Sequence, residues 1–213
     1  MKSYRYILTL ACLVFTGSPL ASAAREHHEL QRYSVPEARQ GVAVDAEFFY
    51  AITNTAVGKY RRADGTRVAH WECEEGEPLT HLNSGIVIGD KLYCAHSNYP
   101  RVPATGSVEI FDTATLEHVE SHSFGQGHGS FTWLDRRDDA WYACFAFYGN
   151  KAQEPGRDPS WTQVVRFDDN WRREAAWVFS AEVVSKFHDY SCSGGAFGPD
   201  GRLYVTGHDN PEL

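Results

Sequence analysis

The chain has 213 residues, 42% of them hydrophobic and 23% charged, a globular balance that excludes a disordered tail. Its formal net charge is −8. No basic face is available to track a phosphate backbone, which argues against nucleic acid as a partner.

In chain order, the first segment reads as an export signal. Lys2 and Arg5 are followed by an apolar run from Tyr6 to Thr16, then Pro19 and the small residues Ala21-Ser22-Ala23. The run is too short for a membrane span. Cys12 sits inside it, with Thr9 a poor residue three positions before a lipid-anchor cysteine. Residues 1–23 are therefore expected to be removed, with the product periplasmic or secreted and free of the membrane. Residues 24–39 read as a linker or outer strand, and residues 40–213 as one repeating region.

That region predicts short strands separated by turns. The first group is Gly41 to Asp45, Phe48 to Thr53, Ala56 to Arg61 and Arg67 to Glu72. The second is Ser84 to Ile88, Lys91 to His96, Ser107 to Phe111 and Leu116 to Ser121. The third is Ser130 to Leu134, Trp141 to Phe147, Thr162 to Phe167 and Arg172 to Phe179. A long loop over Gly149 to Pro159 interrupts it, and Ala181 to Phe187 is the one stretch with a helical signal. The last group, Ser193 to Phe197 and Leu203 to Thr206, is joined by a Pro199-Asp200-Gly201 turn. A tyrosine recurs in each second strand (Tyr50, Tyr93, Tyr142, Tyr204), and an aromatic followed by a polar turn ends three third strands (Tyr60, Phe111, Phe167).

Four-stranded units repeated along a chain predict an all-β protein, a β-propeller of antiparallel blades. About three and a half blades are present. The expectation is a fragment of a six- or seven-bladed ring, because an open half-blade leaves unpaired edges.

In this topology, loops entering the first strand of a blade and leaving the second open on one face. Here they are polar and histidine-rich, whereas the turns of the opposite face are plain. Entering loops bring Glu37, Arg39, Gln40, His81, Asn83, His128, Tyr190 and Ser193. Leaving loops bring Asn54, His96, Asn98, Tyr99, Tyr148, His208, Asp209 and Asn210. His81, His96, His128 and His208 are candidate acid–base groups, or metal ligands through neutral imidazole. Arg39 could hold a carboxylate by a two-pronged contact, with Asn54, Asn98 and Tyr148 as further contacts to substrate. The expected partner is a small polar or acidic molecule; a protein or polysaccharide on the same face is the alternative. Four cysteines remain after export, Cys73, Cys94, Cys144 and Cys192. No Cys/His spacing suggests a structural zinc, and an oxidising compartment would allow disulfides, although Cys94 and Cys144 also read as small core residues of strands.

Several segments carry a family resemblance: Gln40-Gly-Val-Ala-Val-Asp45, His81-Leu-Asn-Ser-Gly85, Cys94-Ala-His-Ser-Asn98, Pro155-Gly-Arg-Asp158 and Gly194-Gly-Ala-Phe-Gly-Pro-Asp-Gly201. They resemble exported bacterial propeller proteins labelled cycloisomerase and, more distantly, lactonase and SMP-30-type propellers. The resemblance implies ring closure or opening between an unsaturated acid and a lactone. The lactonase side implies a divalent metal at the channel held by Glu, Asn and Asp side chains, a pattern met here in part by Glu37, Asn83 and Asp209.

Overall fold

The computed structural model describes residues 28–150 and 152–209. The expected export segment lies outside the described residues. Within residues 28–32, Arg32 pairs with Glu29 at 2.6 Å. The body of the protein starts at Tyr33. Residues 33–40 hold a turn and no strand, and the Arg39 and Gln40 amides donate to the Ile52 carbonyl.

Three antiparallel sheets follow, each a simple up-and-down meander. The first is β1 (Gly41–Val44), β2 (Phe48–Ile52), β3 (Ala56–Arg61) and β4 (Arg67–Glu72). The second is β5 (Leu82–Ile88), β6 (Lys91–Ser97), β7 (Thr105–Asp112) and β8 (His118–Gln126). The third is β9 (Ser130–Arg137), β10 (Ala140–Ala146), β11 (Gln163–Phe167) and β12 (Arg173–Val178). The helix α1 (Ala181–Phe187) leads into the hairpin β13 (Cys192–Phe197) and β14 (Leu203–Gly207). The Ser180 hydroxyl caps α1 by accepting from the Val183 amide. At the hairpin turn Gly201 takes φ +82°, which a side chain would strain.

Strand ends fall close to the sequence expectation except at β8, which begins later and runs on to Gln126. The Asp112 carboxylate accepts from the Ala114 and Thr115 amides and shapes the preceding turn. Leu116 sits in that turn at φ 63° with its side chain buried, so it plugs the core instead of opening the strand. The recurring tyrosines have a local role in two units. Tyr50 donates to Asp45 at 2.8 Å and Tyr204 to Asp200 at 2.7 Å, each fastening a strand to the turn before it.

The core lies between the sheets. Tyr50, Ile52 and Val57 pack on Leu82, Leu92 and Phe111. Val108 and Ile110 pack on Phe131, Trp141 and Phe145. Trp133, Cys144 and Val164 pack on Phe187 and Cys192. Each fully buried side chain of this size contributes about 1.5–3 kcal/mol, so each sheet is held chiefly by its neighbours. The inner strands β1, β5, β9 and β13 touch in succession. The result is a β-propeller arrangement of three complete blades and the first two strands of a fourth. Trp71 of β4 is covered by Phe111 of the next sheet at 4.8 Å. Trp177, its counterpart on β12, is 52% exposed and Val178 66%.

Candidate functional site

The inner strands carry a repeated irregularity. In β5, Asn83 and Ser84 together face the single residue Ala95, because the register passes from Leu82–His96 to Gly85–Cys94. In β9, Thr132 is the extra residue between Phe131, which faces Phe145, and Trp133, which faces Cys144. In β13, Ser193 is the extra residue between Cys192, opposite Gly207, and Gly194, opposite Thr206. A bulge breaks the strict alternation of faces and re-aims the extra side chain. Asn83, Thr132 and Ser193 all line one cavity of about 400 Å³.

The rest of the wall comes from loops at that end of the inner strands. Arg39 and Gln40 precede β1, His81 precedes β5 and Tyr190 precedes β13; Tyr99, Tyr148 and His208 follow β6, β10 and β14. The aromatic groups form two clusters. His81, Tyr99 and Tyr148 are linked by ring-centroid separations of 5.1 Å each, and Tyr190 stacks on His208 at 4.4 Å. Arg39 is exposed and, among the described residues, has no ion pair or side-chain hydrogen bond; no Asp or Glu lines the wall with it. Burial, and then the nearby His96, push His81 down to about 4, so its imidazole is neutral at pH 7. Burial raises the Tyr148 phenol above its ordinary value, so it stays protonated. The His208 Nδ1 lies 2.7 Å from the Asp209 carboxylate.

The structure brings together part of the expected set. His81, His208, Arg39, Tyr148 and Asn83 line the cavity. Asn54 does not; its Oδ1 accepts from the Gln40 side chain at 2.7 Å and so orients a lining residue. Asn98 closes the loop that carries Tyr99, donating to the Pro103 carbonyl at 3.0 Å and accepting from the Thr105 amide at 2.9 Å. His96 is buried on the face of β6 turned to the first sheet, its Nδ1 2.9 Å from Ser107 Oγ and 3.8 Å from Glu109 Oε1. His128 packs against the Phe145 ring at 5.0 Å. The four histidines therefore do not converge: alternation along β6 turns His96 inward, and the glycines beside His128 let its loop fold onto the aromatic core.

The metal expectation does not fit this donor set. Glu37 is buried away from the cavity wall, taking hydrogen bonds from the Tyr60 hydroxyl and from Arg67 at 3.2 Å, with His70 at 3.1 Å. Burial opposes its charge, but Tyr60, its own backbone, His70 and Arg67 outweigh that and hold its pKa below the usual carboxylate value. The Asn83 amide donates to the Phe131 carbonyl at 2.7 Å, tying β5 to β9. Asp209 faces His208. Among the described residues no group of three or more His, Cys, Asp or Glu side chains is placed to hold a metal ion.

Thr132 escapes sequence reasoning, because it sits inside a strand that reads as regular. A bulge leaves no composition signal beyond a polar residue out of phase with its neighbours.

No protein-family model matches the chain, and no curated protein matches it in sequence. Among solved structures it is similar to Myxococcus xanthus glutaminyl cyclase, at 15% identity and a TM-score of 0.56, over 80% of this chain and 68% of that one. It is also similar to Kuenenia stuttgartiensis hydrazine synthase, at 17% identity and a TM-score of 0.50, over 78% of this chain and 42% of that one. BamB from Moraxella catarrhalis aligns at 11% identity with a TM-score of 0.48, over 81% of this chain and 42% of that one. At such identities a likeness speaks for architecture alone, and the architecture of this chain is that of a β-propeller.

Proposed function

We propose that the cavity binds a small carboxylic acid and moves a proton on it, closing or opening a lactone ring in the manner of a cycloisomerase or lactonase acting outside the cytoplasm. The observation that carries this reading is the wall itself. Three bulged polar side chains, Asn83, Thr132 and Ser193, face a space whose one fixed charge among the described lining residues is the unpaired Arg39. A site with one free guanidinium and no acid favours an anion, and a carboxylate matches its two-pronged geometry.

Each group then has a role. Arg39 holds one carboxylate of an unsaturated diacid, and the rings of Tyr99 and Tyr148 hold its flat carbon skeleton. The second carboxylate oxygen adds to one alkene carbon while protonated His208 delivers its proton to the neighbouring carbon; ring opening is the reverse, with His208 taking that proton. A hydrogen bond between Nδ1 and Asp209 leaves the Nε2 of His208 for the exchange. Neutral His81 offers a hydrogen bond without adding a further charge. No metal enters this scheme, since Glu37, Asn83 and Asp209 already have protein partners.

Muconate-type diacids and five-membered lactones, followed by absorbance with the purified protein, test the reading. Turnover should fall by about 10²–10⁴ in His208→Ala with the fold intact, the usual range for a positioned acid–base group. Absence of both turnover and binding for every acid tried would overturn it. A second reading, a sugar chain stacked on the rings, is favoured by Tyr99, Tyr148 and Tyr190 lying on one wall. It predicts binding that is indifferent to loss of the Arg39 charge.

A further inference from the structure

The fourth sheet has two strands; besides the Phe197 amide donating to Asp135 and the Phe197 ring meeting Tyr142, it packs on the third sheet through one small buried cluster. Trp133, Cys144, Val164, Phe187 and Cys192 make up its fully or nearly buried part. Cys144 lies directly across β10–β9 from Trp133. The Trp133 indole Nε1 reaches over to Cys192 Sγ at 3.2 Å. Both cysteines are 0% exposed and share this cluster, on strands β10 and β13 that lie against each other. The other two cysteines are elsewhere: Cys94 lies between the first and second sheets, and Cys73 faces Glu77.

We propose that Cys144 and Cys192 form a disulfide that ties the fourth sheet to the third. Two thiols brought into one buried cluster from strands of different sheets, with no other sulfur in that cluster, are placed for one specific pairing. The oxidant is an external disulfide, of the glutathione-disulfide or dithiol-oxidase class. One protein thiolate attacks it and expels one external thiol, leaving a mixed disulfide; the second protein thiolate then displaces the other external thiol. The protein gives up two protons and two electrons, and the external disulfide is reduced to two thiols. Complete burial of both sulfurs places this exchange during folding, before the hairpin docks.

The bond would act on the cavity wall. Cys192 lies between Tyr190 and Ser193, both of which line the cavity, and next to Ser191, whose hydroxyl meets that of Thr162 at 2.5 Å. Fixing Cys192 therefore fixes the side of the cavity made by the fourth sheet.

Refolding the full chain from its reduced, denatured form in a glutathione couple, blocking free thiols and digesting without reductant gives the test. One cross-linked peptide pair containing Cys144 and Cys192 is expected, with Cys73 and Cys94 carrying the blocking group. Adding reductant should lower the melting temperature by roughly 5–15 °C, the shift expected for opening a loop of about 50 residues. The Cys144→Ser, Cys192→Ser double variant should melt at the same temperature with or without reductant. Blocked thiols at both positions, a link between any other pair, or a wild-type melting temperature indifferent to reductant would overturn the proposal.

Discussion

Two polar clusters of this propeller use the same residue types to opposite ends. One is the rim cavity with Arg39, His81 and His208. The other surrounds Glu109, which is 2% exposed between the first and second sheets. There the carboxylate accepts from Ser107 and Ser121, meets His118 Nε2 at 2.8 Å and lies near His96. Burial opposes its charge, but His118, Ser107, Ser121 and His96 outweigh it and keep its pKa below the usual value. Every oxygen in that cluster is used by the protein. At the rim the guanidinium of Arg39 is not. What distinguishes the rim from the scaffold here is the unpaired charge of Arg39, since histidine content is similar in the two places and the buried cluster also leaves the His96 Nε2 without a partner.

The comparison predicts where mutations should hurt. Glu109→Ala should cost about 3–5 kcal/mol in urea unfolding, because it leaves the buried His96 and the part-buried Ser107 and His118 without their acceptor. Its folded pKa is lowered, so its stabilisation is present above the unfolded value of 4.5 and fades as pH falls through the folded one. Carboxylate binding measured below the unfolding midpoint should be unchanged in that variant; a selective loss of binding would move Glu109 into the site. Next in size is Gly195→Ala. A Cβ there would lie 2.4 Å from the buried Trp133 ring, and the unfolding free energy should drop by about 1–3 kcal/mol from overpacking, lowering the chemical midpoint. An unchanged midpoint would mean that the fourth sheet is not seated on Trp133.

The smallest effect is at the rim and depends on pH. His81 titrates near 4 in the fold against 6.5 when free, so the unfolded chain binds the extra proton between those values. Its burial therefore lowers stability progressively as pH falls from 6.5 toward 4, with no contribution above that window. His81→Asn should flatten the fall of the urea midpoint in this range while leaving the unfolding free energy at pH 8 within about 0.5 kcal/mol, as for a partly exposed position. A fall of unchanged steepness would assign it to His96, His122 or His128, whose values burial also lowers.

Much of the fold was legible because each strand-and-turn signal is local. Asp112 and Asp168 mark turns that they cap themselves, and Gly201 occupies a position with positive φ. The face carrying the polar loops was legible for the same reason, since up-and-down connections decide which loops share an end. Which side chains reach the cavity was less legible. His96 and His81 flank one sheet end, yet alternation turns His96 into the blade interface. Thr132 reads as part of a regular strand and is exposed to the cavity by a bulge, a feature of register between two strands rather than of either sequence. Glu37, expected as a ligand, is claimed by Tyr60, Arg67 and His70 from strands some 20 to 30 residues away.

In the proposed reading, the Arg39 guanidinium makes this rim a carboxylate site. Calorimetric titration of a muconate-type diacid into the wild-type protein, Arg39→Ala and Arg39→Lys at matched ionic strength tests it most directly. Loss of a two-pronged charged contact should weaken binding by about tenfold to a hundredfold in the alanine variant, with lysine restoring only part of it. Equal affinity in all three proteins, with each still folded, would contradict the account.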